Sequence, residues 1–285
     1  MRCTSRRLLP LFLLLPLLLS PLLAQEPPHA ETAAPPRAPG ALLVVGGGGV
    51  PPKALEAALA RCGPTRRVVI LPQASSLADR GADAARMWRD AGALEVRVLD
   101  PLEPRAARAA LAAADLVWLG GGDQSRLVAA LEEAGLVEDL RARRAAGALV
   151  GGTSAGAAAI GSHMLTGRAE QERLRAGGTE LAPGLGLWPE AIVDQHFLAR
   201  QRQTRLLAAV LDHPQRIGVG VDERTALLVE GERCTVLGEG AVLVYDARGA
   251  RVEPSAAGQV PAASDLRLHV LRAGSSWSWP QPGGR

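Results

Sequence analysis

Cysteines and aromatic residues are scarce in this chain of 285 residues. Its three cysteines are too few for a disulfide framework, and Cys3 stands ahead of the first apolar run. Cys62 falls in a helix-end turn and Cys234 in a late strand, contexts that do not say whether the two meet. No C-x-x-C or H-E-x-x-H pattern offers a zinc site, so no metal or other cofactor is expected. Aromatics make up only 3% of the chain, which leaves Leu, Val and Ala to fill the large core that 47% hydrophobic residues allow. A nucleotide loop is missing as well. Counted from Gly46, the third glycine of G-x-G-x-x-G is Pro51; counted from Gly47 it is Pro52; and no G-K-[ST] occurs. The "GGGG" of 46–49 therefore reads as a tight turn bordering a site. A surplus of one charge is also absent from the body of the chain. Of 32 basic and 29 acidic residues, Arg2, Arg6 and Arg7 fall within residues 1–24, which hold no acid, so the remainder is balanced. A nucleic-acid footprint needs a basic domain or stripe, and none is present.

What is there begins with "MRCTSRRLLPLFLLLPLLLSPLLAQ", a basic start, a leucine-rich run and a small residue, Ala24. This is the build of a secretory signal peptide over residues 1–24, and Pro10, Pro16 and Pro21 break the run that a membrane span would need. The expectation is export to the periplasm or medium, with no stable membrane anchor after cleavage. Residues 25–40, rich in Pro and Ala, read as an extended linker. Residues 41–275 read as one domain and 276–285 as a tail. A homodimer is allowed by the sequence and not specified by it.

From Ala41 onward, short apolar runs alternate with alanine-rich amphipathic stretches. Strands are predicted at 41–46, 67–72, 95–100, 115–122 and 148–152. Helices are predicted near 53–61, 78–91, 104–113, 124–133, 136–146 and 198–213. This alternation argues for βαβ units: an α/β fold with a mostly parallel sheet covered by helices on both faces. Glycine-punctuated runs after residue 217 predict antiparallel strands near the C-terminus.

Glycine clusters follow several of these strands, at the sheet edge where open α/β folds bind ligands. In "GGGDQ" (120–124), glycines would let backbone N–H groups approach a ligand. Asp123 is best read as a helix cap, and Gln124 lies within reach of the same crevice. "GGTSAGAAAIG" places Ser154 in the pattern G-x-S-x-G between a strand and a small-residue helix, the setting of a nucleophile elbow. The Ala155 N–H at the helix start would face an oxyanion. A serine needs a base, and the base an orienting acid. His29 lies in the linker, His163 is too close to Ser154 in sequence, His213 sits in a turn and His269 inside an alternating strand. His196, in "VDQHF", follows a strand and is the best base. "GVGVDER" supplies Asp222 or Glu223 as the acid. The order serine, histidine, acid points away from the α/β-hydrolases, in which the acid precedes the histidine.

"GGTSAGA", "GGGDQ", "LAPGLGLWPEAIVDQHFLARQRQTRLL" and "GVGVDERTAL" together resemble the cyanophycinases and the related dipeptidase E-type serine peptidases, over about residues 41–243. The resemblance implies a fold like the class I glutamine amidotransferases. It implies Ser154 as nucleophile, His196 as base and Glu223 as the acid, with oxyanion donors at Ala155 and Gly122. It further implies that Gln124, Asp194, Gln195, Arg200, Arg202 and Arg205 grip a β-linked aspartyl unit. Arg202 is out of step with Arg200 and Arg205 on one helix face, so at least one arginine is expected before the regular helix or paired with an acid. The implied activity is exopeptidase cleavage of cyanophycin, multi-arginyl-poly-aspartate, into β-Asp-Arg. The alternatives are cleavage of other aspartyl or isoaspartyl peptides, or a catalytically idle protein that binds acidic peptides.

Overall fold

Runs of Leu, Val and Ile too short for helices, bounded by glycine and proline, form the strands of this protein. The computed structural model describes residues 38–169 and 172–279. The expected signal peptide, most of the expected linker and the last six residues of the chain lie outside the described residues. The first half alternates as the apolar runs predict: β1 (Leu42–Val45), α1 (Pro52–Leu59), β2 (Arg67–Leu71), α2 (Ala82–Asp90), β3 (Glu95–Val98), α3 (Pro104–Ala113), β4 (Leu116–Leu119), α4 (Gln124–Glu133), α5 (Val137–Ala145), β5 (Leu149–Thr153) and the single turn α6 (Ala155–Ala158). The second half adds β6 (His163–Ala169), β7 (Thr179–Pro183), β8 (Ala191–Gln195), α7 (Gln203–Asp212), β9 (Ile217–Val221), β10 (Thr225–Glu230), β11 (Arg233–Gly238) and β12 (Ala241–Asp246). Last come β13 (Arg251–Val252), β14 (Ala263–Ser264), β15 (Arg267–Arg272) and β16 (Ser276–Ser278).

An eight-stranded sheet runs β16-β11-β10-β1-β5-β4-β2-β3, with parallel pairing from β1 to β3 and antiparallel pairing through β10, β11 and β16. The parallel strands β1, β4 and β5 are buried almost throughout, as strands covered on both faces must be. On one face Leu43, Val45, Ile70 and Trp118 pack against α1 and α2, where Trp88 meets Trp118 edge-on at 5.2 Å. Three of the few aromatics, Trp88, Trp118 and Phe197, are thus spent deep in the core. On the other face Leu42, Val44, Leu119 and Val150 meet α3 to α6 and also a second sheet, β15-β12-β9-β8, through Val193, Val219 and Val244. The amphipathic helix α7 covers that second sheet from outside, with Leu206 and Val210 against Ile192 and Phe197. The parallel sheet with helices on both faces matches the sequence expectation. The late strands differ in being divided between these two sheets and a separate β13-β14 ribbon.

Local departures have identifiable causes. The strand read over 115–122 stops at Leu119, where the glycine turn begins. The helix read over 78–91 starts only at Ala82, after Gly81 in the left-handed region at φ +89°. The helix read over 198–213 starts at Gln203, because Gln201 is left-handed at φ +52°. Residues 276–278, expected in a tail, form the edge strand β16 on β11, and Trp277 and Trp279 pack onto the core. Asp123 caps α4 as predicted, its Oδ1 accepting from the Ser125 and Arg126 N–H groups at 2.8 and 3.0 Å. Cys62 and Cys234 are both free thiols, and burial pushes each up to about 11.

Candidate active site

Ser154 follows the last residue of β5 at the carboxyl edge of the main sheet. Its backbone is held at φ +51° and ψ −115°, a strained conformation for a residue with a side chain. Two features hold it there. The Ser154 N–H donates to the Val45 carbonyl of the neighbouring strand at 3.0 Å. Gly156 lets α6 press onto β4: a Cβ at that position would sit 2.3 Å from the Leu119 carbonyl oxygen. This is the sharp strand-to-helix turn that the glycine-flanked serine predicts. As the first residue of α6, Ala155 has no partner for its N–H within the helix.

His196 arrives from the second sheet, one residue beyond β8. It is buried and left-handed at φ +47°, and its N–H donates to the Gly46 carbonyl at 2.7 Å. Its Nε2 lies 3.0 Å from Ser154 Oγ, and its Nδ1 lies 2.5 Å from Glu223 Oε1. A carboxylate can only accept, so Nδ1 carries the proton and Nε2 is free to accept from the serine hydroxyl. Glu223 lies between β9 and β10, at the crossing from the second sheet to the main one. Asp222, the other candidate acid, does different work. Its Oδ1 accepts from the Leu198 and Ala199 N–H groups at 3.1 and 3.0 Å, fixing the turn that follows His196.

The glycine run after β1 is the platform beneath this pair. A Cβ on Gly47, at φ +99°, would lie 2.4 Å from the His196 ring, and one on Gly48 would lie 2.8 Å from Glu223 Cβ. The sequence placed "GGGG" only at the border of the site; its contact with the imidazole was not readable, because it depends on how the two sheets dock. Across the crevice, Gly122 is at φ +137°, and a Cβ there would meet the Ala74 carbonyl at 2.2 Å.

The remaining predicted residues divide into two groups. Asp194 and Arg205 are both buried and joined by two bonds, at 2.7 and 2.5 Å, and Asp194 Oδ1 also accepts from the Gln195 N–H. Arg205 is thus paired with an acid, and Arg202 Nη1 also stands 3.6 Å from Asp194 Oδ1. Arg202, at the N-cap of α7, donates from Nη1 to the Gln195 carbonyl at 2.7 Å, while its buried Nε has no partner among the described residues. Burial, reinforced by Arg205 and opposed by Asp194, pushes its guanidinium down to about 10. Gln195 Oε1 lies 3.2 Å from Ser154 Oγ, a second acceptor for the serine proton. Arg200 is exposed in the turn before α7. Gln124 spans to the β6–β7 hairpin, donating from Nε2 to the Leu165 carbonyl at 2.5 Å. The arrangement can deliver an activated hydroxyl to a carbonyl carbon, with a cationic group one residue away. His163, His213 and His269 stand elsewhere: the first two meet ring to ring at 5.5 Å, and the third packs on Trp277.

The model of Peptidase family S51 matches residues 42–237. The cyanophycinase of Trichormus variabilis is 38% identical over 232 residues, covering 77% of this chain and 78% of that protein. The cyanophycinase of Geminocystis herdmanii is 42% identical over 158 residues, covering 55% of this chain and 57% of that protein. The crystal structure of a peptidase from an acI-B1 Actinobacterium superposes with a TM-score of 0.61 at 20% identity, covering 86% of this chain and 98% of the other, which is a likeness of fold.

Proposed function

The chain belongs to peptidase family S51 and is a serine peptidase, and from that premise we propose that Ser154, His196 and Glu223 are its catalytic line. The observation that carries this reading is their unbroken alignment at the sheet edge, 3.0 Å from serine to imidazole and 2.5 Å from imidazole to carboxylate. Ser154 Oγ attacks the scissile carbonyl as its proton passes to His196 Nε2. Glu223 holds the resulting imidazolium through Nδ1–H. The N–H groups of Ala155 and Gly122 receive the oxyanion, a contribution on the order of 10²–10³ in rate for each such donor. Collapse expels the amine, which takes the proton back from Nε2. A water molecule then repeats the sequence on the acyl-enzyme, so atoms and protons balance without a cofactor.

The substrate we assign is cyanophycin, cleaved at its aspartyl bonds to release β-Asp-Arg. Its support is the 38% identity to a cyanophycinase over most of the chain, together with Arg202. That guanidinium, with an unpartnered Nε beside Gln195, suits an aspartyl carboxylate. Asp194 and Arg205 hold Gln195 and Arg202 in place, and Arg200 reaches from the rim. Export, with removal of residues 1–24, completes the reading, on the strength of the basic start, leucine-rich run and Ala24.

The test is incubation with purified cyanophycin and detection of β-Asp-Arg. Release by the wild type and none by Ser154→Ala is expected. Hydrolysis of short aspartyl peptides with no release from the polymer would overturn the substrate. N-terminal sequencing of protein recovered from the periplasm or medium should begin near Gln25; an intact Met1 would overturn the processing.

A further inference from the structure

The mechanism above uses the flank of the nucleophile that faces the second sheet. On the opposite flank, between α2 and the carboxyl ends of β2 and β4, lies a cavity of about 440 Å³. It adjoins the reacting atoms: Thr153 and Gly121 line it, Thr153 precedes Ser154, and a Cβ on Gly121 would lie 3.5 Å from Ser154 Cβ. Its deeper wall is apolar, with Trp118 fully buried and Met87 half-buried, and Leu77 stands 67% exposed at its lip. Three charged side chains line the opening. Arg80 is occupied by Asp100 through two bonds of 2.8 and 2.6 Å, and Asp83 is paired with Arg86. Asp79 is exposed, and its carboxylate has no hydrogen bond or ion pair among the described residues.

An apolar slot with one unspent carboxylate at its mouth selects by chemistry. A long side chain with an aliphatic stem and a cationic head buries the stem on Met87 and Leu77 and keeps the head with Asp79. A guanidinium matches a carboxylate bidentately. An acidic side chain is repelled there, and a short neutral one leaves the slot unfilled. We propose that this cavity is a subsite for the arginyl side chain of the substrate, with Asp79 as the residue that pairs with its guanidinium. This rests on the arginyl-poly-aspartate reading above and adds where the cation is read, on the side of Ser154 away from Arg202.

The experiment separates the two. Binding of β-aspartyl-arginine and of β-aspartyl-citrulline, which keeps the shape and loses the charge, is measured calorimetrically on the full chain carrying Ser154→Ala. The arginyl dipeptide should bind about tenfold more tightly or better. Adding Asp79→Asn, at an exposed position whose circular dichroism should be unchanged, should bring the ratio close to one. Equal affinities with Asp79 intact, no binding of either dipeptide, or a preference that survives Asp79→Asn would each overturn the subsite. Turnover of cyanophycin by the wild type judges the substrate independently. Cleavage with equal dipeptide affinities leaves the activity standing and removes the subsite. Discrimination without cleavage does the reverse.

Discussion

At the scale of single residues, the site is a set of side chains held in conformations that they would not adopt alone. Ser154 and His196 both have positive φ, and neighbouring contacts over-determine each of them. Gly47 offers the sharpest test, because its missing Cβ is the space that the imidazole occupies. Gly47→Ala should push His196 off the Ser154 hydroxyl and lower kcat about 100-fold, with KM little changed, since misplacement of about 1 Å is enough for that loss. Gly49→Ala is the control: it also has positive φ, at +110°, but nothing lies within 4 Å of its new methyl group. It should lose comparable stability and keep kcat within severalfold. Equal kcat losses in the two variants would mean that backbone strain, not the contact with His196, controls activity. Ser154 and His196 were legible because their setting is local: glycines around Ser154, and a strand end before His196. The choice between Asp222 and Glu223 came only from the family resemblance, since adjacent residues at a strand end point in different directions and the pattern alone does not show which one meets the imidazole. The cavity lip at Asp79 gave no signal, because an aspartate in a loop is the commonest of sights.

At the scale of elements, the parallel half was readable because each buried strand is a continuous apolar run and each helix an alanine-rich stretch between them. The stretch from 163 to 188 was not, because β6 and β7 form a half-exposed hairpin with a register shift between Leu165 and Ala169, so no clean alternation survives. That hairpin begins at His163, whose imidazole packs beside His213 at the end of α7 and shares a hydrogen bond with Ser162 at 3.2 Å. Burial, then Arg216, then His213 lower its pKa below the ordinary 6.5. The unfolded chain therefore takes up this proton first as pH falls. Stability should begin to drop as pH passes down through about 6.5 and stop dropping below the folded-state value. Urea unfolding at pH 8 and at pH 5 should show a loss at the lower pH that is smaller in His163→Gln. An identical loss in the variant would place the acid sensitivity elsewhere.

At the scale of the molecule, the hydrogen-bonded line of Ser154, His196 and Glu223 is a bridge between two sheets. Ser154 extends from β5 of the main sheet, His196 from β8 of the second, and Glu223 sits where the chain crosses between them. The described residues form one compact unit, and Val193, Val219 and Val244 of the second sheet share a single apolar cluster with Leu42, Val44 and Val150 of the first. If burial of that shared face is what holds the two sheets in register, neither can loosen without the other, and unfolding should be one cooperative transition. Labelling of Ser154 by a fluorophosphonate requires both sheets in place, whereas the fluorescence of Trp88 and Trp118, read in a protein with Trp188, Trp277 and Trp279 replaced by Phe, reports the far face of the main sheet alone. The two signals, and far-ultraviolet circular dichroism, should therefore be lost at one urea concentration. Val219→Ala removes two methyl groups from the shared face and should lower all three midpoints together, by about 1–3 kcal/mol of stability. Loss of labelling at a lower urea concentration than loss of tryptophan fluorescence would show the second sheet melting by itself, and would recast His196 as the mobile member of the site.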